Sequence, residues 1–139
     1  MIIDSTIAER WFLNKGFEKE CLKLREEFER GNISLQAPEI LIYEVGESIL
    51  RSKIPTNLAL KLCALATEYL RYIVVDITKE TSSRAIHIGR MYDLPFNSSL
   101  YLSLSEHLRE PYVTLNEEIV RIRDFNVVHL NDLDLTRSI

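Results

Sequence analysis

The chain has 139 residues, of which 46% are apolar and 27% charged, and its formal net charge is −4. This composition is that of an ordinary globular protein, and the length suits one domain with a full hydrophobic core. The negative charge argues against a surface that coats nucleic acid non-specifically. No apolar run approaches the roughly 18 residues that cross a bilayer, so no membrane association is expected.

Cysteine and glycine usage disfavours several functional classes. Cys21 and Cys63 lie in helical patterns without the spacing of a zinc site, which predicts reduced thiols. An apolar segment follows Met1 directly, so no leader peptide is expected and the predicted location is cytoplasmic. The glycines form neither of the glycine-rich phosphate-binding signatures, and no nucleophile elbow is present.

Short strands alternate with helices along the whole chain. The predicted strands are 1–3, 33–36, 72–75, 111–115 and 127–130. The predicted helices are 8–13, 17–30, 38–51, 57–70, 78–90, 98–108 and 117–123. This alternation predicts an α/β fold, a three-layer α/β/α sandwich with a central, mostly parallel five-stranded sheet. Residues 1–130 are expected to form a single domain, and 131–139 a polar C-terminal tail.

The first candidate site residue is Asp4, which follows the apolar segment Met1–Ile3 directly. Ligands of open α/β sheets bind beyond the carboxyl ends of the strands, so Asp4 lies where chemistry is expected. The alternative is that Asp4 is the N-cap of the following helix, because aspartate accepts hydrogen bonds from free helix N–H groups.

A second candidate is Glu44, on the helix that begins near Pro38. It lies three residues after Leu41 and four after Ile40, on or beside the inward-facing stripe. Burying a carboxylate at the edge of a core costs free energy unless the carboxylate is paired with another group or bound to a metal. A surface ion pair with Arg51 or Lys53 is the alternative for Glu44. Glu47, one turn later, is interpreted as a solvated charge.

A third group of polar residues follows the predicted strand 111–115. Asn116 lies at the carboxyl end of that strand, and Glu117 comes next. Either these residues contribute oxygen ligands, or Asn116 caps a helix whose first turn is acidic. Ser98, at the start of the preceding helix, has the same two interpretations. Together these oxygens suit a hard divalent cation such as Mg²⁺, which metal-assisted phosphodiester hydrolysis uses.

From Met1 to about Leu130 the chain resembles the PIN domain family, particularly the small VapC-type toxins. The segments that carry the resemblance are MIIDSTIAERWFL, APEILIYEVGESIL, LPFNSSLYLSLSEHL and EPYVTLNEEIVR. The resemblance implies cleavage of single-stranded RNA with Mg²⁺ or Mn²⁺. It also implies a small antitoxin protein as partner.

The family's site residues transfer only in part. By resemblance, Asp4 matches the first acid, Thr6 a helper hydroxyl and Glu44 the second acid. The family's third and fourth acids fall on Ser98 and on Asn116.

The neighbouring positions complete the comparison with the family. Asn116 follows the matching Val113-Thr114, and Glu47 occupies a position where the family often has asparagine. Glu47 and Glu117 are the nearby acids that could compensate for the two missing ones. The resemblance therefore implies a weakened metal site that uses Asp4 and Glu44 as its charged ligands.

Two functions remain open from the sequence. One is a metal-dependent endoribonuclease toxin, and the other is a catalytically inactive PIN-like module that binds protein or RNA. The predicted helix 57–70 has apolar residues around most of its circumference. Either burial within the monomer or contact in a homodimer would explain this. The resemblance favours the homodimer.

Overall fold

The computed structural model describes residues 1–135. The strands are β1 (Ile2–Ile3), β2 (Ala37–Pro38), β3 (Val74–Val75), β4 (Tyr112–Thr114) and β5 (Val127–His129). The α-helices are α1 (Ser5–Ala8), α2 (Glu18–Glu29), α3 (Ile40–Arg51), α4 (Thr56–Leu70), α5 (Lys79–Tyr92), α6 (Phe96–Leu108) and α7 (Glu117–Val120). Short 3₁₀ helices cover Glu9–Trp11 and Leu130–Asp132.

The strands form two parallel sheets, with the orders β1-β4-β5 and β2-β3. The mixed α/β class with parallel strands is therefore confirmed, but the five-stranded sheet predicted from the sequence is not observed as one continuous sheet. A single parallel bridge between Ile2 and Gln36 links the two sheets. Around it the Ile3 N–H donates to the Gln36 carbonyl at 3.1 Å, and the Gln36 N–H donates to the Met1 carbonyl at 2.9 Å. Each strand has only two or three residues, and Pro38 has no N–H to extend the pairing.

Several element boundaries differ from those predicted. The second strand lies at Ala37–Pro38, beyond the predicted 33–36, because Ala37 pairs with Val74. Alternation of apolar residues does not specify which partner strand a segment meets. The first helix begins at Ser5 and tightens into a 3₁₀ turn at Glu9, whereas 8–13 was expected.

Helix α6 corrects a capping prediction. Ser98 does not cap it, because the helix already begins at Phe96 after Pro95. Proline has a fixed φ that suits a helix start, and here it sets the boundary earlier than a serine or asparagine cap would. Thr78, by contrast, caps α5 through a reciprocal pair of hydrogen bonds with Thr81.

The core lies between the sheets and the helices around them. Helix α6 contacts β1, β2 and β4, and α7 contacts β4 and β5. The largest fully buried side chains include Tyr101, Tyr112, Ile2, Ile3, Leu24 and Leu41. Helix α4 contributes less to the core, because only two of its residues, Ala66 and Leu70, are buried.

The C-terminal region and the membrane prediction can be compared with the structure only in part. Leu133 and Leu135 are half-buried against the core, and 136–139 of the predicted tail lie outside the described residues. Within the described part of the chain, no helix combines the length and the apolar character needed to span a bilayer.

Candidate functional site

The side chain of Asp4 closes the end of β1 and starts α1. Its Oδ1 accepts a hydrogen bond from the Thr6 backbone N–H at 3.0 Å and another from Thr6 Oγ1 at 2.5 Å. The backbone of Asp4 is extended, and Asp4 is the N-cap of α1. The capping interpretation of this residue is therefore confirmed.

The second oxygen of Asp4 faces strand β4. Asp4 Oδ2 accepts from the Tyr112 hydroxyl at 2.6 Å and from Thr114 Oγ1 at 2.5 Å. Ile2 pairs with Tyr112 across these two strands, so the register carries Asp4 level with Thr114. A carboxylate has about four acceptor positions, and these four donors fill them.

The two threonine hydroxyls extend this network to the loop after β4. Thr6 Oγ1 accepts from the Leu115 N–H at 3.0 Å, and Thr114 Oγ1 accepts from the Asn116 N–H at 3.0 Å. Each hydroxyl thus donates to Asp4 and accepts from a backbone amide. The ends of β1 and β4 and the start of α1 are held together through one carboxylate.

Glu44 is placed by contacts between α3 and α6. Its Oε2 accepts from Asn97 Nδ2 at 2.9 Å, and its Oε1 accepts from the Tyr101 hydroxyl at 2.5 Å. The side chain is half-buried and is held by these two residues, not by the alternative partners Arg51 or Lys53. The tyrosine bonded to Glu44 stacks on the tyrosine bonded to Asp4, so the two acids belong to one cluster.

The electrostatics of both acids are dominated by burial. Burial raises the pKa of Asp4, and the hydrogen bonds from Thr114, Thr6 and Tyr112 oppose that rise. Burial also raises the pKa of Glu44, with Tyr101 and Asn97 opposing it. The negative charges of Asp4 and Glu9 add to the rise at Glu44.

Glu9 is a nearby acid that the sequence analysis missed. Its Oε2 accepts from Ser48 Oγ at 2.5 Å, one turn beyond Glu44 on α3. Its Oε1 lies 3.4 Å from Lys15 Nζ and 3.3 Å from the Arg10 guanidinium. Glu9 looks like an ordinary surface charge in the sequence, and only the packing of the 3₁₀ turn against α3 brings it here.

The other four candidate site residues have other hydrogen-bond partners or surroundings. Asn116 caps α7, since its Oδ1 accepts from the Glu118 N–H at 3.0 Å. Ser98 is half-buried in the first turn of α6, one residue after Asn97. Glu117 is exposed, and Glu47 is exposed and hydrogen-bonded to Arg51. The solvated-charge interpretation of Glu47 is therefore confirmed.

Few carboxylate oxygens of this cluster are left free for a cation. Within residues 1–135 no group of three or more His, Cys, Asp or Glu side chains is arranged to hold a metal ion. Each Glu44 oxygen accepts one protein hydrogen bond, which leaves acceptor capacity there. At Asp4 a cation would have to replace one of the hydroxyl donors, and a hydroxyl can rotate away. The remaining acceptor capacity of Glu44 is therefore the feature of this cluster that a Mg²⁺ or Mn²⁺ ion could use.

Comparison with known proteins identifies the fold. No protein-family model matches the chain, and no curated protein matches its sequence. A toxin–antitoxin complex from Klebsiella pneumoniae contains a similar chain, with a TM-score of 0.72 and 14% identity over 95% of this chain and 98% of that one. The crystal structure of PAE2754 from Pyrobaculum aerophilum gives a TM-score of 0.68 and 15% identity over 99% and 94%. This chain shares their fold. At these identities the likeness extends to the fold alone.

Proposed function

We propose that this protein is a cytoplasmic PIN-domain toxin of the VapC type that cleaves single-stranded RNA with Mg²⁺ or Mn²⁺. The observation that carries the proposal is that Asp4, at the end of β1, and Glu44 each accept a tyrosine hydroxyl and that the two tyrosine rings stack on one another. The motifs around these two acids resemble that family, and a chain of the same fold occurs in a toxin–antitoxin complex.

The residues divide into charged ligands and positioning groups. Asp4 and Glu44 would hold the cation, while Thr6, Thr114 and the two tyrosines fix the carboxylates. A bound Mg²⁺ or Mn²⁺ supplies activation of water and stabilisation of charge at a phosphodiester. Asn116 and Ser98 would contribute neutral oxygens, directly or through water.

The two missing carboxylates weaken the proposed site. A unit charge about 4 Å from a cation contributes roughly 4 kcal/mol at an effective dielectric of 20, before relaxation. Each 1.4 kcal/mol corresponds to about ten-fold in affinity, so loss of two charges lowers metal affinity by several powers of ten. We therefore expect binding at millimolar concentrations of Mn²⁺ and slow cleavage.

The test is cleavage of labelled single-stranded RNA by purified protein in millimolar Mn²⁺, with Mn²⁺ binding measured separately by calorimetry. Glu44→Gln is the informative variant, because glutamine keeps an acceptor for Tyr101 and removes the charge. Cleavage that needs Mn²⁺ and disappears in Glu44→Gln supports the proposal. Intact RNA, or equal cleavage by the variant, overturns the nuclease function.

The second candidate function is a catalytically inactive PIN-like module that binds protein or RNA. The observation that favours it is the complete set of four protein donors around Asp4. Such a module takes up no Mn²⁺ at millimolar concentration. The double variant Ser98→Asp, Asn116→Asp restores both family acids and should then create Mn²⁺ binding. If it gains none, the assignment of these two positions is wrong.

Two protein partners belong to the same proposal. We propose a small antitoxin as the regulatory partner, supported by the neighbour from a toxin–antitoxin complex. We also propose that the chain forms a homodimer, supported by the exposed leucines of α4. Growth arrest on expression, relieved by a co-expressed small protein encoded next to it, would support the antitoxin. Arrest that such a protein leaves unchanged would argue against it.

A further inference from the structure

A depression lies between the C-terminal end of α5 and the N-terminal end of α6. Its volume is about 480 Å³, and the residues that line it include Ile86, Gly89, Arg90, Asp93, Leu94 and Phe96. The two helices approach closely here, because a Cβ at Gly89 would lie 3.0 Å from Ser99 Oγ. The depression is therefore formed by the packing of α5 on α6.

The depression adjoins the acid cluster through the first turn of α6. Phe96 lines the depression, and the next residue, Asn97, donates to Glu44 Oε2 at 2.9 Å. Successive side chains of an α-helix point about 100° apart, so one turn of α6 presents Phe96 to the depression and Asn97 to Glu44. A polymer bound at the acid cluster can therefore continue into the depression.

The lining combines an exposed aromatic ring with two charges of opposite sign. Phe96 is 45% exposed, and Arg90 and Asp93 at the end of α5 are exposed as well. Among the described residues, neither Arg90 nor Asp93 has an ion-pair partner. Arg84, on the same helix, instead donates to both carboxylate oxygens of Glu106. The charges beside the Phe96 ring are thus available to a ligand.

A nucleotide matches these three groups. Bases of single-stranded RNA stack on aromatic side chains, and a guanidinium binds phosphate through paired N–H groups. An ionised carboxylate only accepts hydrogen bonds. Guanine presents two adjacent donors, N1–H and the N2 amino group, on its Watson–Crick edge, whereas adenine and cytosine present one amino group beside an acceptor. The carboxylate of Asp93 therefore favours guanine.

We propose that the depression between α5 and α6 binds one nucleotide of single-stranded RNA and prefers guanine. The inference rests on the RNA ligand proposed above, but not on metal binding or cleavage. Phe96 stacks on the base, Asp93 accepts from N1–H and the N2 amino group, and Arg90 binds a phosphate of the same strand. Because the chain has a net charge of −4, its attraction for RNA depends on local cations that no carboxylate neutralises.

The first experiment measures RNA binding by fluorescence anisotropy in EDTA. The probe is a short labelled oligouridine with one central guanosine, compared with the same oligomer carrying adenosine or inosine there. The parent should bind the guanosine oligomer about ten-fold more tightly than the adenosine one, with inosine, which lacks the N2 amino group, between them. Equal affinity for the three oligomers would overturn the proposal.

Removal of the Phe96 ring tests stacking. Phe96→Ala should bind the guanosine oligomer about ten-fold more weakly, as expected for loss of one stacked base. Tyr72→Ala is the control, because Tyr72 is 83% exposed but does not line the depression. Equal losses in two variants with unchanged circular dichroism spectra would overturn the subsite.

Asp93→Asn tests base recognition at constant backbone conformation. Asp93 has a φ of 54°, in the left-handed region that asparagine also adopts. Because asparagine replaces one acceptor with a donor, the preference for guanosine over adenosine should disappear. A preference that persists in this variant would overturn the assignment of guanine to Asp93.

The salt dependence of binding tests Arg90. Arg90→Gln should make the slope of log affinity against log salt shallower by about 0.7, the value for one phosphate contact of a single strand. Arg84→Gln removes the same charge from the same helix and should leave the slope unchanged, because Arg84 is already paired with Glu106. Equal changes in the two variants would overturn the phosphate contact.

The subsite and the nuclease function fail in different ways. Guanosine-selective binding in EDTA without cleavage in Mn²⁺ supports the subsite and overturns the nuclease. Cleavage that is indifferent to Phe96→Ala and to the central base overturns the subsite and leaves the nuclease standing.

Discussion

Tyr101 and Tyr112 stack with their ring centroids 5.6 Å apart and their planes 24° from parallel. Tyr101 donates its hydroxyl proton to Glu44, and Tyr112 donates to Asp4. The stacked rings come from α6 and β4, so the relative position of the two acids is set by how this helix packs on this strand. Aromatic pairs of this geometry add about 0.5–1.5 kcal/mol beyond their buried area.

Replacing Tyr112 with phenylalanine should destabilise the protein by about 1.5–3 kcal/mol, the range for hydrogen bonds to charged groups. The ring is retained, but the buried Asp4 carboxylate loses a donor that water cannot replace. Tyr69→Phe is the control, because the Tyr69 hydroxyl bonds Glu29 where water has access. Urea unfolding at pH 7 compares the two, and equal losses would contradict the role given to Tyr112.

Glu44→Gln should change how stability depends on pH. Because burial raises the folded-state pKa of Glu44 above its ordinary value of 4.5, the folded protein holds this proton more tightly than the unfolded chain does. The carboxyl's contribution is therefore complete below about pH 4.5 and is lost as pH rises through the folded-state pKa. Glu44→Gln should gain stability relative to the parent over that range.

This pH effect is measured by urea unfolding between pH 4 and 8 in EDTA, which removes divalent cations. The difference in unfolding free energy between Glu44→Gln and the parent should shift toward the variant as pH rises. A difference that stays constant from pH 4 to 8 would be inconsistent with a perturbed Glu44.

Replacing each of two helix glycines with alanine should change the stability of the protein in opposite directions. A Cβ at Gly46, in α3, meets nothing within 4 Å, so Gly46→Ala should stabilise the protein by up to about 1 kcal/mol through helix propensity. A Cβ at Gly89, in α5, would lie 3.0 Å from Ser99 Oγ and 3.1 Å from the Leu94 carbonyl oxygen. Gly89→Ala should therefore destabilise by about 1–3 kcal/mol, the range for overpacking.

The comparison of these glycine variants by thermal and urea unfolding tests the packing of α5 on α6. Equal gains from both substitutions would show that the two helices are further apart than described.

Substitutions at Asn116 separate its capping role from a ligand role. Asn116→Ala removes the acceptor for the Glu118 N–H and should cost about 0.5–2 kcal/mol. Asn116→Asp keeps the cap and adds a carboxylate at the end of β4, so stability should be retained while Mn²⁺ affinity rises. Unfolding and calorimetry measure the two effects. Stability lost equally in both variants would argue against the cap.

Local features of the chain were predictable from the sequence. The alternation of short apolar segments with helical periodicity predicted parallel strands and helices, because each pattern reflects burial along one element. The capping alternatives at Asp4 and Asn116 were also visible, since an N-cap bonds an amide only two residues away.

Only the tertiary structure decided the composition of the site. Tyr112 donates a hydrogen bond to Asp4, 108 residues away in the sequence, and Tyr101 donates one to Glu44, 57 residues away. No local sequence pattern encodes such contacts. The division of the strands into two sheets likewise depended on which short segments met. Sequence periodicity specifies which side of an element is apolar, but not which element covers it. For the same reason, the outward leucines of α4 became visible only once the helix was placed on the core.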